Sequence, residues 1–168
     1  MVITRADSER DVAAVRSRLQ AVLTDCPVQA EVIFRPDEAV SVQTGARHAA
    51  DWCVGRKAWL VSGIGNSESF RRLAMANGVQ VLGETAFSDH YAYRREDLDR
   101  IRTQVARSNA EMVLTTEKDA GKLAPLLRPD ESWWALRLRA DVRRGQDALH
   151  RLICGFSAGP KKHGDGRA

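Results

Sequence analysis

The chain has 168 residues, 43% apolar and 29% charged, with 26 basic and 22 acidic side chains and a net charge of +4. That composition belongs to one soluble globular domain and excludes disorder as the main state. Apolar runs such as Ala58-Trp59-Leu60-Val61 fall far short of the roughly 20 residues of a spanning helix, and residues 1–7 lack the basic start and apolar core of a secretory signal.

Strand and helix alternate along the chain. Val2-Ile3-Thr4 reads as the end of a strand with little before it, so a parallel sheet starting there has an uncovered edge. That implies an absent upstream half. Asp7 or Ser8 caps a helix reaching about Leu23, with Val12, Val15, Leu19 and Val22 at helical spacing. Residues 28–34 (VQAEVIF) alternate and are β-branched, a strand that Pro36 and Asp37 should break. Residues 37–56 give no clear pattern. Residues 57–64 (KAWLVSGI) form a strong strand, and a glycine turn leads from it into a helix over 68–76 that Asn77-Gly78 closes. A strand over 79–87, a polar and aromatic loop over 88–93, and a helix over 96–108 follow. Then come a short buried strand over 112–116, a turn at Glu117-Lys118-Asp119 with a short helix, a strand over 133–142 and a helix over 146–156. The expected fold is α/β, a mainly parallel sheet with helices on both faces in a single domain over 1–156. Residues 157–168, rich in Gly, Pro and charge, read as a disordered basic tail.

The basic excess is local. Residues 137–168 carry 8 basic and 3 acidic groups, whereas residues 1–136 carry 18 and 19. Such an end suits nucleic acid, an anionic membrane surface or a phosphorylated substrate, or is simply solvated. Nucleic acid ranks last, because no RNP-like aromatic motif and no helix-turn-helix pattern is present. Cys26, Cys53 and Cys154 are odd in number, far apart and without CxxC spacing, which reads as reduced, buried thiols in a cytoplasmic protein. His48, His90, His150 and His163 do not supply zinc-ligand spacing, so no metal site is expected.

In open α/β sheets, ligands bind beyond the carboxyl ends of the strands. Three loops fall there. Ser62-Gly63-Ile64-Gly65-Asn66-Ser67 enters a helix N-terminus, where Gly63, Gly65 and Asn66 can offer N–H groups to an anion. It is neither GxxxxGK[ST] nor GxGxxG, and it reads equally as a tight turn with Asn66 or Ser67 as N-cap. Ser88-Asp89-His90-Tyr91 places an imidazole where it can take a proton from a hydroxyl near neutral pH. His90 is also readable as an ordinary surface or structural histidine. In an extended stretch Asp89 and His90 point to opposite faces, which makes Asp89 a poor orienting partner. In Thr115-Thr116-Glu117-Lys118-Asp119, Thr115, Thr116 and Lys118 are candidate phosphate donors, and the alternative is a helix start capped by Thr116. Of the neighbours Trp133 and Trp134, one should face the core and the other the opposite face.

Together and in this order, residues 62–70, 86–93 and 113–120 resemble the C-terminal half of the tetraacyldisaccharide 4′-kinase (lipid A 4′-kinase) family, a P-loop-type kinase. The likeness covers roughly residues 1–155. It implies transfer of the γ-phosphate of ATP, with Mg²⁺, to the 4′-hydroxyl of a lipid A disaccharide 1-phosphate precursor. The implied location is cytoplasmic, at the inner-membrane face of a Gram-negative cell. By position, His90 assists deprotonation of the sugar hydroxyl, together with an aspartate from the N-terminal half. Asp89 and the Thr115, Thr116 and Lys118 loop fall on family signatures. The chain departs from the family in having no Walker A sequence, and Ser67 stands where proline is usual. The resemblance therefore implies a chain inactive alone that needs a separate N-terminal P-loop half as partner. The alternative is a non-catalytic module binding a sugar phosphate or anion.

Overall fold

The computed structural model describes residues 2–4, 9–22 and 30–157. The helix cap expected at Asp7 or Ser8, Leu23, Cys26, the first two residues of the strand over 28–34, and the tail beyond residue 157 lie outside them. The chain divides into two compact units, Met1–Phe34 with Ala140–Ala168, and Arg35–Arg139.

In the first unit, β1 (Val2–Thr4) lies parallel to the start of β2 (Ala30–Ser41), with Val2 opposite Ala30. Helix α1 covers Glu9–Val22. At the other end of the chain, β7 (Trp133–Arg144) turns at Gly145, whose φ of +76° suits glycine, into α5 (Gln146–Ser157).

The second unit holds the main core. Strands β4 (Lys57–Ser62), β5 (Gln80–Ala86), β6 (Met112–Thr116) and the first part of β7 are parallel, in the order β5-β4-β6-β7. Short β3 (Arg47–Ala49) pairs antiparallel with the end of β2. Helices α2 (Ser67–Ala76), α3 (Arg95–Ser108) and α4 (Glu117–Leu123) connect the strands. Strands β4 and β6 are buried on both faces, which explains their near-continuous apolar runs. Leu60, Leu114 and Leu136 pack with Phe70 and Ala74 of α2 on one face. Their neighbours Val61, Val113 and Trp133 pack with Leu98 and Ile101 of α3 and Leu123 of α4 on the other. Trp133 is 2% exposed in the second cluster, while Trp134 lies against the first, so the two indoles do part to opposite faces.

The α/β class, the mainly parallel sheet and the helices on both faces match the sequence expectation, and, the end of β2 apart, element ends agree to within two residues. Two local expectations need correction. Pro36 does not end its strand: β2 runs through it to Ser41. Beyond Pro36, Glu38, Ala39 and Val40 pair with Ala49, His48 and Arg47, so the ladder resumes past the residue that lacks an N–H. The residues without a clear pattern therefore hold the end of β2, β3 and a 3₁₀ turn over Ala50–Cys53. Glu117-Lys118-Asp119 is the first turn of α4 rather than a turn before it, so of the two readings of this loop the helix start capped by Thr116 is the one found.

Candidate active site

All three loops singled out by the sequence lie at the carboxyl ends of β4, β5 and β6 within the second unit. The parallel register places Val61 beside Thr115 and Ser62 beside Ala86, so the chain leaves neighbouring strands at one level. Beyond the ladder, Phe87 N–H still donates to Ser62 O at 2.8 Å.

The loops are joined pairwise by side chains. Asp119, fully buried in the first turn of α4, accepts the Gly63 N–H on Oδ2 at 2.9 Å and the Thr116 hydroxyl at 2.7 Å. Thr116 Oγ1 in turn accepts the Asp119 N–H at 3.1 Å, the reciprocal arrangement that satisfies a helix start. This ties the first loop to the third. Lys118 Nζ donates to Asp89 Oδ1 at 2.8 Å, tying the third loop to the second. A Cβ on Gly65 would lie 3.8 Å from Asp89 Oδ2, so the first and second loops also meet. Lys122 adds a further strut, donating to Tyr91 O at 3.3 Å with its ammonium 4.0 Å from Asp119 Oδ1.

His90 is the exposed member of the group, its side chain 77% accessible, with Nε2 3.8 Å from Asp89 Oδ2. The expectation that Asp89 and His90 point apart is therefore corrected. It assumed extended backbone, but His90 sits at φ +60°, in the left-handed region, and donates its own N–H to Asp89 Oδ1 at 3.0 Å. Outside glycine that conformation is uncommon and costs energy, so the surrounding contacts must hold it. The hydrogen bond from Lys118 is the largest influence holding the Asp89 carboxyl below its ordinary range, with the charges of Lys118 and His90 adding to it.

The loop's aromatics form its floor. Phe87 and Tyr91 stack at 4.5 Å, and Tyr93 meets Phe87 edge-on at 5.1 Å. The Tyr91 hydroxyl donates to Asp97 Oδ2 at 3.1 Å, and the same oxygen accepts the Arg94 N–H that opens α3. Tyr93 is buried above Gly63. Burial first, then the Asp119 carboxylate, pushes its phenol well above the ordinary value.

Two candidates for anion binding are already engaged. The Gly63 N–H is taken by Asp119, and Lys118 is held by Asp89. Asn66 acts as the N-cap of α2, accepting the Ser69 N–H at 2.9 Å. Thr115 is fully buried and its hydroxyl has no hydrogen-bond partner among the described residues, while Thr116 is committed to its cap. Gly65 is exposed. Asp119, Tyr93 and Lys122 were missed by residue-type reasoning. The spacing from Thr116 to Asp119 marks a helix cap, but nothing local in it announces a bond to residue 63. Among the described residues no group of three or more His, Cys, Asp or Glu side chains converges to hold a metal. Nor does any described helix have the length and apolarity to cross a membrane.

The tetraacyldisaccharide-1-P 4′-kinase family model matches residues 1–156. A tetraacyldisaccharide 4′-kinase from an Anaeromyxobacter species is 30% identical over 147 residues, covering 88% of this chain and 39% of the relative. The enzyme of that name from Bdellovibrio bacteriovorus is 27% identical over 143 residues, covering 83% and 42%. The chain thus spans about two fifths of the length of these curated relatives. Among solved structures, "apo" form LpxK from Aquifex aeolicus in complex with ATP superposes with a TM-score of 0.50 at 22% identity, covering 76% of this chain and 36% of that one, a likeness of fold. Since the family model takes in nearly the whole chain, all three rim loops included, this chain belongs to the tetraacyldisaccharide-1-P 4′-kinase family.

Proposed function

We propose that this chain supplies the C-terminal part of a tetraacyldisaccharide 4′-kinase, which phosphorylates the 4′-hydroxyl of the lipid A disaccharide 1-phosphate precursor from ATP. The observation that supports it is the exposed His90 ring, set beside Asp89 and Lys118 at the mouth of parallel strands. In this role His90 accepts the proton of the attacking sugar hydroxyl. Asp89 and Lys118 hold the loop that presents it. Phosphoryl transfer depends chiefly on positioning and on neutralising phosphate charge. The sequence has no Walker A loop, and the Gly63 N–H is already spoken for, so the phosphate cradle and the Mg²⁺ ligands come from an N-terminal P-loop half outside these 168 residues. Alone, the chain is inactive. It works at the cytoplasmic membrane face, with its basic end towards anionic lipid. Arg137 is less available for that contact than its sequence suggested, since it pairs with Glu38 and Glu117. The alternative, an anion-binding module without turnover, is weakened by the same internal commitments of Gly63 and Lys118.

The test is co-expression with the P-loop half of a family member and assay of ATP-dependent phosphorylation of the disaccharide 1-phosphate. Activity should require both parts, and His90→Ala should lower the rate by about 10²–10⁴, the usual worth of a positioned general base. A reconstituted enzyme indifferent to His90→Ala defeats the role given to that residue. Failure of every P-loop half to restore turnover, with tight salt-sensitive binding of the headgroup by this chain alone, would favour the module.

A further inference from the structure

His90 occupies a backbone position that favours glycine. Its φ is +60°, and the Tyr91 N–H donates to Ser88 O at 3.2 Å, which makes His90 the third residue of a β-turn. A positive φ at that place is the type II pattern, ordinarily met by Gly or Asn. The turn must therefore be held from outside. Two lysines one turn apart on α4 reach it. Lys118 acts before His90, through the Asp89 carboxylate that also takes the His90 N–H. Lys122 acts after it, donating to Tyr91 O at 3.3 Å. The two contacts are unequal. Lys118 and Asp89 are 44% and 47% exposed, so water and salt weaken their pairing. The Lys122 ammonium instead lies 4.0 Å from Oδ1 of the fully buried Asp119 carboxylate, a charge that salt screens less. Asp119 is itself fixed by the Gly63 N–H and the Thr116 hydroxyl. Lys122 thus joins the buried junction of α4 and the β4 turn to the residue that follows His90.

We propose that Lys122 is the positioning residue of His90: strung between the Asp119 carboxylate and the Tyr91 carbonyl, it holds the turn over 88–91 in the left-handed form that presents the imidazole at the rim. For its bearing on catalysis this rests on the kinase reading. In this role the lysine neither gives nor takes a proton.

The full chain, labelled with ¹⁵N and ¹³C, is compared by NMR with Lys122→Met, which removes the donor and the charge from a flexible side chain of similar length. The unaltered chain should show the His90 Cα shift and HN–Hα coupling of a positive φ. In Lys122→Met both should move to values of negative φ, while the circular dichroism and the signals of β4 and β6 stay native. Lys122→Arg should restore them. Losing the ammonium leaves the Asp119 carboxylate unbalanced, so Lys122→Met is also made in an Asp119→Asn background, where that buried charge is gone. In the enzyme reconstituted with a P-loop half, Lys122→Met should lower kcat about 10–10²-fold, because a misplacement of about 1 Å can cost 10²-fold, with KM for ATP held within twofold. Lys122→Arg should recover most of that rate. A positive φ at His90 that survives in either Met variant, or a loss that arginine does not restore, overturns the proposal. Indifference of the reconstituted enzyme to His90→Ala removes the kinase role of His90 instead, and the backbone measurement on the chain alone still decides whether Lys122 holds the turn.

Discussion

Asp119 reaches across 56 positions of sequence to take the backbone N–H of Gly63, and so fastens the start of α4 to the turn that follows β4. The carboxylate is fully buried, and its Oδ2 serves both that N–H and the Thr116 hydroxyl. Charge-assisted hydrogen bonds of this kind contribute roughly 1.5–3 kcal/mol, and removing the acceptor strands buried donors. Asp119→Ala should cost about 3 kcal/mol in equilibrium urea unfolding. Asp119→Asn keeps an oxygen for Gly63 and should cost less, about 1 kcal/mol. Equal losses in the two variants would mean that the charge, not the acceptor, holds the junction.

Gly63 is needed for space rather than for backbone freedom. A Cβ there would lie 2.8 Å from Tyr93 Oη and 3.1 Å from Asp119 Oδ1, closer than packed atoms allow. Overpacking of this order costs about 1–3 kcal/mol, so Gly63→Ala should destabilise within that range. Most of the clash is with one hydroxyl. In a Tyr93→Phe background the same substitution should cost about 1 kcal/mol less, a coupling that a double-mutant cycle reads directly. Strict additivity would place the obstruction elsewhere.

The parts of the fold set by near neighbours were open to sequence reasoning. Asn66 caps α2, Asn77-Gly78 closes it with Gly78 at φ +80°, and Thr116 caps α4, because each of these acts within a few residues. The order of the three rim loops carried the family resemblance, and the parallel sheet brought them to one edge. What stayed hidden depends on distant partners. Continuation of β2 past Pro36 needs β3, supplied by residues that show no periodicity of their own. The burial of Asp119 needs Gly63. The approach of Asp89 to His90 needs a left-handed histidine, a conformation uncommon outside glycine and not marked by any local pattern.

The pairing of Asp89 with Lys118 should be visible in its titration. Lys118's hydrogen bond holds the carboxyl below its ordinary value of 3.8. A depressed carboxyl stabilises the native state in its ionised form. That contribution is complete above 3.8 and fades as the pH falls through the lower, folded value. Both side chains are largely solvated, so the stability at stake is small and salt-sensitive. Carboxyl-carbon NMR should give an Asp89 midpoint under 3.8 at low salt that rises towards it in Lys118→Met. An unchanged midpoint in that variant would show that the contact does not persist in solution.

The two described cysteines should differ sharply in reactivity. Cys53 is fully buried, and burial pushes its thiol from 9.0 up to about 11, against a smaller opposing effect of the Arg56 charge. Cys154, expected from the sequence to be buried, is instead exposed on α5. The thiolate is the nucleophile, so at pH 8 native Cys53 is both shielded and protonated. Brief iodoacetamide treatment followed by peptide mapping should find Cys154 alkylated and Cys53 untouched, with Cys53 labelled once urea unfolds the chain. The sign of the linkage is the reverse of that at Asp89. Between about 9 and 11 the unfolded chain sheds this proton more readily than the native one, so stability falls as the pH rises through that window. In Cys53→Ala this decline should flatten, although the lost packing lowers stability at every pH. A native protein whose Cys53 labels as fast as Cys154 at pH 8 would show that the core around it opens on the timescale of the reagent.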